Sequence, residues 1–136
     1  MNYTIEVRKS YIYIKISGKI SLTGPSGWEE IKSALVNVVD SAKKANIIKL
    51  LIDCRDFSGK LSTMDRFLLA IFFVKENSKL LAGQLRPVKV TFVLNESMID
   101  PKKFGETVAH NRGLHGLVTD NMQEALKWLE LDTPSK

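Results

Sequence analysis

The chain has 136 residues, 44% of them hydrophobic and 26% charged, the proportions of one globular domain with a core of its own. A formal charge of +5 arises without any Lys or Arg run longer than two, as at Lys43-Lys44 and Lys102-Lys103, so no basic tract is laid out for nucleic acid. A single cysteine, Cys54, excludes an internal disulfide and a cysteine-built zinc site, in keeping with a reducing compartment.

Residues 3–8 and 11–17 read as two strands of a hairpin joined by Arg8, Lys9 and Ser10. In YIYIKIS, Ile12, Ile14 and Ile16 alternate with Tyr11, Tyr13 and Lys15, the period of a half-buried strand. A helix follows, with Ser26 as the expected cap, Glu29 closing a capping box, and Trp28, Ile31, Leu35, Val38 and Ala42 on one face. IIKLLID at 47–53 has the apolar run of a strand buried in a parallel sheet. The stretch after it reads as a loop, and a second helix is expected from about Ser62 to Leu81, with Gly83 stopping it.

Pro87 precedes a fourth strand, VKVTFVL. Asp100-Pro101 then looks like the start of a third helix ending near Asn111-Arg112-Gly113. A short strand through Leu117 and Val118 leads to a last helix, capped by Thr119 or Asp120, with Met122, Ala125, Leu126 and Leu129 inward. The order ββαβαβαβα predicts a mixed, mainly parallel five-stranded sheet packed against four helices. One domain over 1–131 is expected, with 132–136 a frayed tail.

This order resembles the STAS family, the domain of sulfate transporters and anti-sigma-factor antagonists, and within it a bacterial SpoIIAA-like branch sometimes grouped with lipid-binding folds. Asp53, Gly59, Leu61, Ser62, Asp65 and Arg66 carry the likeness, together with Asn111-Arg112-Gly113, Thr119-Asp120, Glu124-Ala125 and Trp128-Leu129. The resemblance implies a non-enzymatic regulatory domain that works through a protein partner. In the antagonists, an Asp-Ser-Ser-Gly stretch follows the third strand, and a partner kinase phosphorylates its serine. Here the matching stretch is Leu61-Ser62-Thr63-Met64, which makes Ser62 and Thr63 the candidate, if degenerate, switch.

The residues themselves supply a plainer role for Ser62. Ser62-x-x-Asp65 before an apolar run is a capping box, and Arg55, Lys60 and Arg66 stand close in sequence. Ligands of open parallel sheets gather beyond the carboxyl ends of the strands, so Asp53, Arg55, Lys60, Arg66, Lys102 and Lys103 form a candidate anion-binding edge. Asn95 lies on the same edge.

No catalytic set converges. Cys54 would need a base, and the two histidines, His110 and His115, sit toward the opposite edge. Asp53 and Asp56 flank Arg55, which favours an ion pair over an acid–base dyad. His110 and His115 lack an obvious third ligand for a metal, and no cofactor is implied.

FLLAIFFV at 67–74 covers every side of two helical turns with apolar side chains, whereas a surface helix keeps one side polar. Phe67, Ile71, Phe72 and Val74 are therefore candidates for a homodimer interface or for a small apolar or anionic, lipid-like ligand. The block is far shorter than the roughly 20 residues of a membrane span. MNYTIEVRKS has no apolar signal core, so a cytoplasmic protein is expected.

Overall fold

The computed structural model describes residues 1–21, 25–60, 62–81, 88–99 and 115–130. Alternation in the second strand does what its pattern predicts. Ile12, Ile14 and Ile16 turn into the core, while Tyr11, Tyr13 and Lys15 take the other face. That strand, β2 (Ile12–Ser21), pairs antiparallel with β1 (Asn2–Val7). It continues past the expected Ser17 because a parallel neighbour accompanies it that far.

The neighbour is β3 (Lys49–Lys60), and here the sequence reading is corrected. CRDFSGK is not a loop. It stays in the sheet, paired through Ser17↔Asp56 to Ser21↔Lys60. The register shifts between Lys15 and Ser17, where β3 spends two residues, Cys54 and Arg55, against the single Ile16. This bulge reverses the phase of side chains along β3. Leu50, Ile52 and Cys54 point into the core before it, and Phe57 points to the same side after it.

Beyond β3 the sheet continues in parallel through β4 (Lys89–Leu94) and β5 (His115–Thr119), so the strands lie in chain order from β1 to β5. Helices α1 (Pro25–Ala45) and α2 (Thr63–Leu81) cover one face. Leu35, Val38, Val39 and Ala42 of α1 and Phe73 of α2 pack there against Ile12, Ile14, Leu50, Ile52 and Val90. Phe73 meets Phe92 edge to face, with ring centroids 5.6 Å apart. The other face takes α3 (Met122–Trp128), whose Ala125 and Leu126, with Leu129 just beyond, pack on Leu51 and Val93.

Helix ends correct two expected caps. Pro25 already occupies the first helical position of α1, so Ser26 lies inside the helix. At α3 the cap is Asn121, whose side chain accepts the Glu124 N–H at 3.1 Å, while Thr119 Oγ1 accepts the Asn121 N–H. α1 ends on Asn46 at φ 56°, with Asn46 N–H on Lys43 O and Ile47 N–H on Ala42 O, a Schellman closure.

The described residues thus hold three α-helices and a short 3-10 turn, Glu96–Met98. The helix expected after Asp100-Pro101 lies outside them, as do Lys102, Lys103, His110, Arg112 and the tail.

Candidate functional site

β3 delivers the chain directly to the start of α2. Ser62 stands at the N-cap, and its hydroxyl accepts the Asp65 N–H at 3.0 Å. In return, the Asp65 carboxylate accepts the Ser62 N–H at 2.9 Å. The capping box read from the sequence is therefore present, and it places an acid in the first turn, where the helix dipole favours it. Ser62 itself remains exposed.

Arg66, one residue on, donates to Met98 O at 2.9 Å and ties the start of α2 to the 3-10 turn. That turn is in turn held to the bulge, because Asn95 Nδ2 donates to Arg55 O.

α2 points Phe73 inward, and Leu69, Phe72 and Val74 pack partly against the core. Its outward side begins with Met64, 62% exposed, and continues with Leu68, 44% exposed, flanked by the partly exposed Phe67 and Ile71. Of the four apolar residues singled out from the sequence, Phe72 and Val74 thus serve packing, while Phe67 and Ile71 border the outer strip. Leu68 lay inside the apolar run without being singled out, and Met64 lay outside it. Their signal was the spacing of Met64, Leu68 and Ile71 along one helical face, which an unbroken run does not display.

On the other face of the sheet, the bulge builds a second cluster. Asp53, 1% exposed, accepts the Tyr13 hydroxyl at 2.6 Å. It also accepts Arg55 Nε at 2.9 Å, Arg55 NH2 at 2.8 Å and the Arg55 backbone N–H at 3.2 Å. Burial pushes the Asp53 carboxyl up, but these hydrogen bonds outweigh it and the net shift is downward. Tyr13 is pushed up to about 12, first by burial and then by its bond to the carboxylate.

Arg8 lies over the Tyr13 and Tyr11 rings at 4.7 and 5.4 Å from their centroids, and bonds Tyr11 and Glu6. Lys15 pairs with Asp56 at 3.2 Å.

The candidate anion edge is therefore divided. Asp53 and Arg55 neutralise one another on one face of the sheet, and Arg66 is engaged by a carbonyl at the helix start. Lys60 closes β3 and Thr63 opens α2, but their side chains lie outside the described set. Cys54 points away from Asp53 into the core, where burial pushes its thiol up to about 12. Such a thiol holds its proton at neutral pH and is a poor nucleophile. Among the described residues, no group of three His, Cys, Asp or Glu is placed to hold a metal ion. No described helix is long and apolar enough to cross a membrane.

No protein-family model matches the chain, and no curated protein matches it by sequence. Solved structures do match. An anti-sigma factor antagonist from Mycobacterium paratuberculosis aligns with a TM-score of 0.52 at 11% identity, over 95% of this chain and 93% of that one. The anti-sigma factor antagonist SpoIIAA in its unphosphorylated form aligns with a TM-score of 0.51 at 10% identity, over 95% and 98%. The chain has the STAS-like fold of these antagonists.

Proposed function

We propose that the chain is a non-enzymatic regulatory module whose protein partner docks on the outer side of the first turns of α2, over Met64, Phe67, Leu68 and Ile71. Ser62, at the head of that surface, is the switch residue of the proposal, with Thr63 as its neighbour. The carrying observation is the exposure of Met64 and Leu68, large apolar side chains set one helical turn apart beside an exposed serine. A phosphate on Ser62 would add charge beside the Asp65 carboxylate and so alter the head of the docking surface.

Action in the cytoplasm is part of this reading. So is self-association as a homodimer, though not through α2, because one strip cannot serve a partner and a second copy together. The alternative, a carrier of a small apolar or anionic ligand, is less well supported: the spare apolar side chains of α2 point outward, and Arg55 and Arg66 are already engaged.

A photo-reactive residue at Leu68, activated in the native host, tests the proposal. The expected result is a covalent adduct to one protein, lost when Ser62→Asp is added. Adducts to lipid or to nothing overturn it. A native mass spectrum showing a bound small molecule would replace it with the carrier.

A further inference from the structure

β1 ends the sheet, and no described strand pairs with its outer side. Natural edge strands are commonly blunted by charged side chains, above all Lys, by Pro, by a bulge or by extreme shortness. NYTIEV has no Lys, Pro or bulge, and its one charge, Glu6, is paired with Arg8 at 2.7 Å. Six residues run in unbroken register against β2. Tyr3 and Ile5 pack partly on the core on the helix side of the sheet, yet Val7, in phase with them, is 57% exposed.

α1 runs alongside this edge in the same direction as β1. The terminal amine of Met1 lies 3.8 Å from Glu30, and Asn37 donates to the Tyr3 hydroxyl at 2.6 Å. Glu30, Asn37 and Lys44 recur at heptad spacing and so share one flank of the helix. The opposite flank carries Lys32, whose ammonium lies 5.8 Å from the Phe72 ring of α2. The Glu30–Lys44 flank therefore turns away from α2 and stands over the strand edge, acidic at one end and basic at the other.

We propose that β1 pairs antiparallel with β1 of a second copy of this chain, about a two-fold axis at Thr4, to form one continuous sheet. This is the self-association of the proposed function, given a surface of its own and independent of any partner on α2. A two-fold axis normal to the sheet keeps each face with its like, so facing residues have numbers of equal parity. Centring on Thr4 sets Tyr3 opposite the second copy's Ile5 and Met1 opposite its Val7, which covers the exposed valine. Asn2 then faces the second copy's Glu6 on the polar side.

The helices fit the same axis. The strand from Met1 to Val7 and the helix from Glu30 to Lys44 each span about 20 Å, at roughly 3.3 and 1.5 Å per residue. The operation that brings Met1 to Val7 of the second copy thus brings Glu30 to its Lys44. Opposite charges meet at both ends of the interface, and Asn37 lies near the axis.

Concentration-dependent sedimentation of the full chain tests this. A dimer is expected, with Val7→Lys raising its dissociation constant at least about tenfold while the melting temperature of the monomer is unchanged. Glu30→Lys and Lys44→Glu should each weaken the dimer, and a mixture of the two variants should restore it as a heterodimer. Thr4→Cys should form a disulfide-linked dimer on oxidation, because residues on the axis face one another at a separation a disulfide can span, whereas Ile5→Cys should not. Cys54 is buried and does not compete. A wild-type chain that stays monomeric at every concentration overturns the proposal. So does a dimer that survives Val7→Lys and is lost with Leu68→Glu, a result that would assign self-association to α2 instead.

Discussion

Asp53 gathers four hydrogen bonds from two donor residues, its own side chain buried beneath the half-exposed Arg55. Removing Tyr13's hydroxyl takes one charge-assisted donor from that carboxylate. Tyr13→Phe should therefore lower unfolding free energy by about 1.5–3 kcal/mol at neutral pH, read from urea denaturation. The pH dependence has a definite sign at each end. Asp53 has a folded pKa below its unfolded value of about 3.9, so its contribution is present above that pH and fades as acid protonates it; the gap between wild type and Asp53→Asn should close there. Tyr13 is the reverse case. Its folded value of about 12 exceeds the ordinary 10, so the stability it confers should drain away as pH rises from 10 to 12, and Tyr13→Phe should lack that loss. Asn77 offers the opposite opportunity. It is fully buried and donates to Phe73 O at 2.9 Å, but its Oδ1 meets no donor among the described residues. Asn77→Leu should leave stability unchanged or raise it, by about 1 kcal/mol, because the desolvated oxygen is removed.

At the scale of elements, the head of α2 and the middle of β3 differ in how openly the sequence declares them. The capping box is local: Ser62 and Asp65 are three residues apart, and their types alone announce it. Ser62→Ala should cost about 1 kcal/mol in denaturation, while Ser62→Asp, itself a good cap, should cost little; a change in partner binding by the latter would then reflect charge rather than unfolding. β3 is not local. Its second half is polar, contains Gly59 and breaks the alternation at Cys54-Arg55, so it reads as a loop. Only pairing with residues 17–21 of β2 makes it a strand. Phe57, buried three residues after Cys54, is the side chain that depends on the bulge, and Phe57→Ala should cost about 3–5 kcal/mol. The Tyr13–Asp53 bond was illegible for the same reason, since it rests on cross-strand register and not on any motif. The strip on α2 was half legible. FLLAIFFV announced excess apolar surface, but Phe72 turned out to serve the core, and Met64, outside the run, is the most exposed of all.

For the molecule as a whole, the alternation of strands and helices and the mixed sheet followed from periodicity and order, and the STAS-like fold from a resemblance carried by residues such as Asp53, Ser62 and Asp65. The assignment of working surfaces did not. If Met64 and Leu68 are a docking strip, changing both to Glu should leave the circular dichroism spectrum and melting temperature nearly unchanged while abolishing partner capture; a large loss of stability would mean that the strip belongs to the core.

Strand order sets a further limit. In doubly wound sheets, two neighbouring crossovers leave in opposite directions, and their parting opens a ready-made crevice at the strand tips for a nucleotide or other small molecule. Here β1 through β5 succeed one another in chain order, so the described strands contain no such reversal. The two contacts proposed for this chain accordingly lie away from the strand tips, one on the outside of a helix and one on the rim of a sheet.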